Sequence, residues 1–496
     1  MTIDINLLRT DKGGNPALVR ESERKRGNDP KRVDQVIALD EEWKKITFQL
    51  DRKNKDLNAV KKEIGTRMKA KKDASDLLEQ KKAIEAEQAQ LADAKKAAED
   101  ALNEALGALG NLVHDSVIDS KNEDNNEIVR TWFKDGKTPV KDALLSHHEV
   151  LARLAGYDPE RGVKVAGHRG YFLTDVGVDL ILGLVQYGLA FLKKKGHKKL
   201  MTPYFMNKDI MAKTAQLSQF DEELYKVSGD AGDDKYLIAT SEQPISAFHA
   251  GEWIPEAQLP IKYAGFSSCF RKEAGAHGKD TWGIFRVHQF EKVEQFVLCD
   301  PDKSWEMLEE MIGNSEEFYQ SLGLSYRVVS IVSGALNNAA AKKYDLEAWF
   351  PFQGEYKELV SCSNCTDYQS RNLEIRCGTK KLGQTEKKYV HCLNATLTAA
   401  ERTLCCILEN WQTEDGFRVP PPLVPYVGEE FIPYVVELKG KGKAKAPVAP
   451  APTKAAAAPA KAAAPAPATK AATPAPAPAA AKGKDLSKQV EAKLKM

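Results

Sequence analysis

Two runs of regularly spaced apolar residues near the amino terminus form the clearest pattern in the chain. In the first run, apolar residues from Val36 to Ile64 alternate in steps of three and four, with Lys53 as the one interruption. A polar break at 65–73 follows, and the second run extends from Leu77 to Leu112. This spacing is the heptad of coiled-coil helices. Two matched runs around a short break predict an antiparallel helical hairpin, with helices roughly 45–60 Å long at about 1.5 Å per residue.

Such an arm is too long to pack wholly against a globular body, so it should reach a partner. Dimerisation is the commoner use of heptads, but the central break favours pairing within one chain. Basic residues crowd towards the break, among them Arg67, Lys69, Lys71 and Lys72. They are either a solvated face or a contact for an anionic partner such as RNA phosphate.

A second pattern lies at 284–298, where residues alternate with the period of a β-strand. One predicted face carries cations, a ring and a carboxylate, namely Arg286, His288, Phe290 and Glu294. The other carries the valines Val287, Val293 and Val297, which should pack into a core. Arg271 ends a preceding predicted strand at 263–271. Arginines bind phosphates, a ring stacks on a base and a carboxylate binds an ammonium group, so the pattern favours a nucleotide triphosphate beside an amino acid.

The remainder of the chain alternates short predicted helices and strands. Helices are predicted at 175–192, 304–322 and 394–413, and strands at 200–206, 236–240, 344–350 and 356–361. Strands in hairpin order with interspersed helices predict an antiparallel sheet flanked by helices, which is an α+β fold.

Composition divides the chain into four predicted parts. The stretch 115–140 is rich in Asp, Asn and Lys and is predicted to be a linker. From Lys439 the sequence is rich in Lys, Ala and Pro and nearly lacks large apolar residues, so this tail should be disordered. The predicted parts are a helical domain at 1–120, a linker at 121–145, a large α+β domain at 146–438 and the tail at 439–496.

Composition and charge limit the kind of partner and the cellular compartment that are expected for this chain. The 496 residues are 42% hydrophobic and 29% charged, with a net charge of +2, so a nucleic-acid partner would be met by local patches. All eight cysteines lie at or beyond Cys269 in scattered positions, which favours a reducing compartment over a secreted disulfide framework. The acidic start argues against a targeting leader. The longest apolar runs, such as Leu180–Leu192, are too short to span a bilayer, so no membrane association is expected.

Three motifs together resemble those of the class II aminoacyl-tRNA synthetases, and more narrowly the eukaryotic cytosolic seryl-tRNA synthetases. The first is the basic loop ending in Lys199 with the strand that holds Pro203, which in this family forms a dimer interface. The second is FRKE at 270–273 with FRVHQFEKVEQ at 285–295, and the third is NATLTAAER at 394–402. Serine-type features are TSEQP at 240–244, ELVSCSNCTDYQSR at 358–371 and the helical arm. The resemblance covers about residues 1–438.

The resemblance implies an ATP site. Arg271 would hold the α-phosphate, Glu273 would help to orient the nucleotide, and Arg286 would meet the γ-phosphate. Phe290 would stack on adenine against Arg402 from the last helix. The implied ATP-binding set is Arg271, Glu273, Arg286, Val287, Phe290, Glu358, Leu359, Val360, Ser361 and Arg402, with Arg271, Glu358 and Arg402 as its catalytic members.

The resemblance also implies a metal, a serine pocket and partners. Glu358 and Ser361 would bind Mg²⁺, which prefers hard oxygen ligands. The implied substrates are ATP, L-serine and tRNA(Ser), with tRNA(Sec) as a further acceptor where the organism has one, and the implied protein is a cytoplasmic homodimer. The serine-binding residues would be Thr240, Ser241, Glu242, Glu294, Asn394 and Thr396.

Two alternatives remain open at the level of sequence. A non-catalytic relative that binds RNA would be expected to lack a signature arginine or the metal carboxylate, but Arg271, Arg286, Glu358 and Arg402 are all present. An enzyme for threonine or proline is disfavoured by the helical arm and by the TSE segment. A panel of amino acids in an activation assay would distinguish these possibilities.

Overall fold

The polypeptide folds into a helical amino-terminal part and a large sheet flanked by helices. The computed structural model describes residues 2–142, 144–215, 223–229, 234–273, 282–379 and 387–437. The predicted tail at 439–496 and the loop residues 274–281 lie outside these ranges. The helices are α1 (Pro16–Arg26), α2 (Lys31–Lys69), α3 (Ser75–Gly107), α4 (His147–Arg153), α5 (Pro159–Ala166), α6 (Val176–Lys194), α7 (Lys208–Thr214), α8 (Glu242–Ala247), α9 (Ser304–Ser321), α10 (Tyr368–Leu373), α11 (Ala400–Trp411) and α12 (Val424–Val427).

The strands are short outside the central sheet and long within it. They are β1 (Glu127–Trp132), β2 (Tyr157–Asp158), β3 (Phe172–Leu173), β4 (Lys198–Met201), β5 (Phe205–Asn207), β6 (Lys226–Val227), β7 (Lys235–Leu237), β8 (Trp253–Ile254), β9 (Ile261–Phe270), β10 (Gln289–Cys299), β11 (Tyr326–Ser330), β12 (Lys342–Phe350), β13 (Glu355–Asn364), β14 (Arg376–Cys377), β15 (His391–Ala399), β16 (Gly416–Arg418) and β17 (Phe431–Pro433).

Helices α2 and α3 form the predicted antiparallel hairpin. Leu57 and Ile64 of α2 pack with Leu77 and Ile84 of α3 in one apolar cluster. In the ion pairs Lys53–Glu87 and Arg67–Asp76, the residue that comes later in α2 pairs with the residue that comes earlier in α3. This order is the one that an antiparallel pair of helices requires. Helix α2 continues through Gly65 as far as Lys69, because a helix interior tolerates glycine at a cost of only about 1 kcal/mol.

The central sheet has the strand order β1-β11-β12-β13-β15-β10-β9-β4. Neighbours are antiparallel except β4, which lies parallel to β9 at one edge. The predicted α+β class is confirmed. Strand β1 lies within the segment 121–145, predicted as a linker, and it pairs with β11 at the opposite edge.

One face of the sheet packs on helices α6, α9 and α11. Leu184, Met311 and Leu404 of these helices are buried in one cluster with Val293 and Val297 of β10. The valines therefore point into the core as their alternation predicts. Phe290, Lys292 and Glu294 of β10 alternate with these valines and lie on the opposite face of the sheet, where the candidate site is found.

Helix α6 is long and apolar enough to cross a membrane by length and composition alone, the one such helix in the part of the chain that the structure describes. Its Leu180, Leu184 and Leu192 are buried against the sheet. This packing accounts for its apolar character, since a core helix of a folded domain has the same composition.

The segment predicted as one helix at 394–413 is divided between a strand and a helix. Strand β15 continues to Ala399, and helix α11 begins only at Ala400. The helix prediction was wrong for the first part. Asn394, Thr396 and Thr398 alternate there with apolar residues, and pairing with β10 and β13 outweighs local helix propensity.

Two predicted strands also have different bounds. The strand predicted at 284–298 begins at Gln289, so Arg286 lies in the preceding loop rather than on the strand. The strand predicted at 200–206 is interrupted around Pro203 and divides into β4 and β5. Proline has no amide proton and cannot donate to a strand ladder, which explains the interruption.

A buried arginine joins the helical part to the sheet domain. Arg26 at the end of α1 donates hydrogen bonds to the carbonyl oxygens of Asn111 at 3.0 Å, Asn337 at 2.8 Å and Ala340 at 2.6 Å. Asn111 donates in turn to the carbonyl oxygens of Ala339 and Cys365, both at 2.9 Å. The base of the arm is therefore fixed to the loop before β12 and to the end of β13.

Candidate active site

A cleft lies on the polar face of the sheet, over β10, β13 and β15. Eight of the ten predicted ATP-binding residues line it, together with the predicted serine residue Thr396. Val360 does not, because its side chain packs into the core on the other face of β13. The lining residues from the prediction are Arg271, Glu273, Arg286, Val287, Phe290, Glu358, Leu359 and Arg402.

Arginine side chains from distant parts of the chain meet in this cleft. The Arg271 guanidinium lies 5.2 Å from the centre of the Phe290 ring, and its Nε donates to the carbonyl oxygen of Ala239 at 3.3 Å. The Arg402 guanidinium lies 5.0 Å from the centre of the Phe285 ring, and its Nε donates to the Phe285 carbonyl oxygen at 3.3 Å. Phe290 and Arg402 thus line one cleft, but Phe290 contacts Arg271 and Arg402 contacts Phe285.

The positive charges around the cleft favour the binding of an anion. Burial lowers the pKa of Arg402; the Glu358 carboxylate opposes that shift, and the charges of Arg271 and Arg286 add to it. A guanidinium whose pKa is lowered by neighbouring cations gains stability when a polyanion binds between them. This is the behaviour expected of a phosphate site.

Glu273 connects two further arginines at the entrance of the cleft. Its backbone is left-handed, with φ of 49°, and its Oε2 lies 3.6 Å from Arg286 Nη1 and 3.9 Å from Arg169 Nη1. Arg169 also donates to the Arg286 carbonyl oxygen at 3.4 Å. Arg286 Nε is buried without a hydrogen-bond partner among the described residues, so it is available to a ligand.

A buried polar pocket adjoins the arginines. Glu294 of β10 is 2% exposed, and its Oε2 accepts hydrogen bonds from Thr240 Oγ1 at 2.6 Å and Ser241 Oγ at 3.1 Å. The Lys292 ammonium lies 2.8 Å from the same oxygen. Burial alone would raise the pKa of Glu294, but the Lys292 charge and these hydrogen bonds lower it below its ordinary value.

A second carboxylate faces the same pocket from helix α8. Glu242 Oε1 accepts hydrogen bonds from Gln369 Nε2 at 2.7 Å and from Asn394 Nδ2 at 2.9 Å. Burial and the nearby Glu294 charge raise the pKa of Glu242 to about 7. Thr396 lies opposite Glu294 in the β10–β15 register. The structure therefore brings together all six residues predicted for serine.

The two predicted metal ligands lie on β13 beside another acidic residue. Ser361 is paired with Asp345 across the β12–β13 register. Burial raises the pKa of Asp345 to about 7, Lys343 opposes this, and the Glu358 charge adds to it. Asp345 Oδ1 is buried without a hydrogen-bond partner in the described ranges. Asp345 Oδ2 lies 3.3 Å from Lys343 Nζ, so its Oδ1 and the oxygens of Glu358 and Ser361 are the hard donors that would suit Mg²⁺.

Four site residues were missed by sequence reasoning, namely Arg169, Lys292, Asp345 and Gln369. The sequence could have revealed Lys292, because the alternation of side chains along a strand places it on the same face as Phe290 and Glu294. The other three reach the site through long-range packing. His288, predicted on the ligand face, instead places Nδ1 3.0 Å from the Arg271 carbonyl oxygen.

Family profiles match two parts of the chain. Residues 2–113 match a profile described as the seryl-tRNA synthetase N-terminal domain. Residues 225–411 match a profile described as the tRNA synthetase class II core domain for G, H, P, S and T. The first covers the helical arm, and the second covers the strands that build the cleft.

Individual relatives agree with these profiles over most of the chain. The cytoplasmic serine–tRNA ligase of Schizosaccharomyces pombe is 63% identical over 439 residues, which cover 88% of this chain and 97% of the relative. The crystal structure of the Naegleria fowleri cytoplasmic serine–tRNA ligase in complex with AMP is 51% identical. It covers 88% of this chain and 100% of that chain, with a TM-score of 0.77. The Pyrococcus horikoshii seryl-tRNA synthetase complexed with ATP is 38% identical at the same coverage, with a TM-score of 0.78. The chain therefore belongs to the seryl-tRNA synthetase family of class II aminoacyl-tRNA synthetases.

Proposed function

We propose that the chain is a cytoplasmic, ATP-dependent serine–tRNA ligase, which forms seryl-adenylate from L-serine and transfers the seryl group to the 3′ end of tRNA(Ser). The observation that carries the proposal is one cleft in which an arginine-lined phosphate site adjoins a carboxylate pocket. The names of the relatives support serine and the cytoplasm. The AMP and ATP of the two structural neighbours support an adenine nucleotide.

In the first step, an oxygen of the serine carboxylate attacks the α-phosphorus of ATP in line with the departing pyrophosphate. The new carboxyl–phosphorus bond forms as the bond to the β-phosphate oxygen breaks. Both reactants are anions, so Arg271, Arg286 and Arg402 offset their repulsion and stabilise the developing charge. Positioning is the main contribution of the protein, and no side-chain nucleophile is required.

Adenine would lie between the Phe290 ring and the Arg402 guanidinium. Both side chains line the cleft, and a guanidinium plane stacks readily on a flat base. The present contacts of Arg271 with Phe290 and of Arg402 with Phe285 would then be exchanged for contacts with the nucleotide. Arg271 would turn towards the α-phosphate, and Glu273 would keep Arg286 oriented towards the γ-phosphate.

Glu358 and Ser361 would hold Mg²⁺, with Asp345 beside them. Their oxygen atoms fit this ion, and Asp345 adds a buried carboxylate whose Oδ1 has no hydrogen-bond partner among the described residues. When bound, Mg²⁺ supplies a Lewis acid that neutralises phosphate charge. Glu358 also faces Arg402, so this residue joins the metal position to the adenine position.

Serine would be selected by its ammonium group and its hydroxyl. Glu294 and Glu242 offer carboxylates to the ammonium, and Thr240, Ser241, Asn394 and Thr396 offer polar atoms nearby. A site that hydrogen-bonds a substrate hydroxyl rejects the analogue without it, because buried polar groups then lose their partners. Alanine would be discriminated in this way, and threonine by lack of space.

In the second step, the terminal 3′-hydroxyl of the tRNA attacks the adenylate carbonyl carbon, and AMP leaves. The helical arm would bind the body of tRNA(Ser), and tRNA(Sec) where one exists, mainly through phosphate contacts. The working division is a tRNA-binding domain at 1–120, a linker at 121–145, a catalytic domain at 146–438 and a tail at 439–496.

The proposed homodimer would form at the β4 edge of the sheet. Met201 of β4 is 69% exposed and Leu182 of α6 is 49% exposed. Large exposed apolar side chains at the edge strand of a sheet are typical of an interface. Leu182→Asp should therefore yield a monomer in light scattering. Ile128→Asp is the matched control, since Ile128 is exposed at the opposite edge, on β1. Equal dissociation by both variants would contradict this interface.

The decisive test of the function is amino-acid-dependent exchange of pyrophosphate into ATP across a panel of amino acids. Serine should support exchange far better than alanine, threonine or glycine. Glu294→Gln should raise the KM for serine by roughly thirtyfold, equivalent to about 2 kcal/mol for a hydrogen bond to a charged group, while the KM for ATP changes little. Serine-independent exchange, or an equal response to threonine, would overturn the proposal.

A further inference from the structure

A lysine lies inside the amino-acid pocket. Lys292 is 5% exposed, and its Nζ lies 2.8 Å from Glu294 Oε2 and donates to Thr240 Oγ1 at 2.6 Å. Thr240 Oγ1 itself donates to Glu294 Oε2 at 2.6 Å. The three groups form a closed triangle, so each restricts the rotamers of the other two. A buried lysine is costly unless it is paired, which makes its presence here informative.

The charges in the pocket are unequal. Two carboxylates, Glu242 and Glu294, face it, and Lys292 is paired with only one of them. Glu242 is held by the neutral amides of Gln369 and Asn394 instead. With both carboxylates ionised, this group carries one net negative charge. A primary ammonium is the chemical group that would complete it, and an α-amino acid brings such a group.

We propose that Lys292 is a positioning residue for the binding of serine. The Lys292 ammonium orients Glu294 and Thr240. The pocket then still lacks one positive charge, which the ammonium group of the substrate supplies. This deepens the proposed function and rests on it. Lys292 also lines the cleft, and the role assigned to it here is exerted through Glu294 rather than on the reacting atoms. Without it, Glu294 and Glu242 would lie together with no resident cation and would compete for one proton or one substrate ammonium.

The proposal predicts a pH signature, because the Lys292 charge is the main influence that lowers the pKa of Glu294 against burial. The other ionisable groups facing this pair are Glu242 from α8 and, from β9 and its end, Cys269 and Arg271. Loss of the lysine charge should raise the pKa of Glu294. Serine binding, which needs the ionised carboxylate, would then require a higher pH.

The test is serine-dependent pyrophosphate exchange by the full-length protein across a range of pH. Lys292→Met should raise the KM for serine by about tenfold or more, as expected for a lost charged hydrogen bond, with the KM for ATP nearly unchanged. The acidic limb of kcat/KM for serine should move to higher pH. Lys292→Gln, which keeps a donor but removes the charge, should move this limb as well and serves if the methionine variant folds poorly.

Two variants separate charge from packing. Lys292→Arg keeps the charge and should leave the acidic limb close to its normal position, even if its larger head raises the KM. Lys262→Met is the matched control, because Lys262 lies on the neighbouring strand β9 and pairs with Glu310 at 2.5 Å outside the cleft. It should change neither the KM for serine nor the pH profile.

An unchanged acidic limb in both Lys292→Met and Lys292→Gln would overturn the proposal. Equal rises in the KM for serine and for ATP would do the same, since they indicate general damage to the cleft. If the unmodified protein showed no serine-dependent exchange, the proposed function and this inference would fall together. If it was active and the lysine variants behaved like it, only the inference would fall.

Discussion

The pKa values of two carboxylates in one pocket are shifted in opposite directions because the neighbours of the two groups differ. Glu294 lies beside the Lys292 ammonium and accepts two hydroxyl hydrogen bonds, so its pKa is lowered in spite of burial. Glu242 lies beside Glu294 and accepts only amide hydrogen bonds, so its pKa is raised to about 7. Groups whose environments push their pKa values apart are characteristic of functional sites.

The raised pKa of Glu242 makes a prediction for the ligand-free protein. A carboxyl whose folded pKa is raised contributes stability that is present below its ordinary pKa and is lost as the pH rises through about 7. Glu242→Gln should therefore match the unmodified protein near pH 5 and be more stable near pH 8, by up to about 2 kcal/mol. Thermal unfolding at a series of pH values measures the difference.

Glu306→Gln provides the control for this experiment, because Glu306 is exposed on helix α9. It should unfold like the unmodified protein at every pH. A Glu242→Gln variant with the same pH dependence as the unmodified protein would show that burial of this carboxyl has no net cost.

Individual site residues differ in how far the sequence could reveal them. Phe290 and Glu294 follow from alternation, because a strand places every second residue on one face. Lys292 lies on that face too, but a lysine in a strand is usually solvated, so only the packed structure shows that it is buried. Arg169 comes from a segment far away along the chain, and its proximity depends on long-range packing that no local pattern encodes. Gln369 lies within the motif at 358–371, but only the structure shows that its side chain holds Glu242.

At the scale of elements, the helical arm was predictable and the final strand-to-helix segment was not. Heptads extend over many residues in α2 and α3, so the helical period is unambiguous. Strand β15 contains Ala and Leu, which suit either element. Its pairing with β10 and β13 decides the outcome, and this pairing also places Asn394 and Thr396 in the site.

The arm can be shortened without disturbing its base. Lys53–Glu87 and Asn54–Gln88 mark one level of the hairpin, so joining Arg52 to Ala89 through a short Gly-Ser turn would remove the distal part. The basal cluster, which includes Val36 and Leu102, would remain. Serine-dependent pyrophosphate exchange should persist, whereas serylation of tRNA should fall by about a hundredfold or more because phosphate contacts are lost.

Both reactions are measured on the same shortened protein, so adenylate formation is its own control. Normal serylation would show that the distal arm does not bind the tRNA. Loss of both reactions together would show instead that the distal arm is needed for folding.

At the scale of the whole molecule, the buried guanidinium of Arg26 holds two parts of the fold together. Arg26 reaches carbonyl oxygens on both sides of the junction, and burial lowers its pKa. Removing one partner from a buried charged network leaves the remaining polar groups unpaired, which costs more than the network contributes. The junction should therefore be sensitive to this one side chain.

Arg26→Met should destabilise the protein by roughly 3 kcal/mol, since three carbonyl groups, two of them in buried hydrogen bonds, lose their donor. Arg20→Met is the control on the same helix, because Arg20 pairs with Asp34 in a solvent-exposed position and should cost less than about 1 kcal/mol. Denaturant unfolding measures both variants. Similar losses for both would contradict a special role of the junction.

The attachment of the arm base has a consequence for how an RNA is chosen. Arg26 and Asn111 fix the base of the arm to the loop that leads into β12, a strand of the catalytic sheet, so the position of the arm base relative to that sheet is set. If the arm binds the body of the tRNA as proposed, we expect an RNA to be selected by the distance between its body and its 3′ end more than by the identity of any base. Lengthening both helices of the arm by matched heptads would then change the preferred distance between the RNA body and its 3′ end, and the chemistry in the cleft would be unchanged.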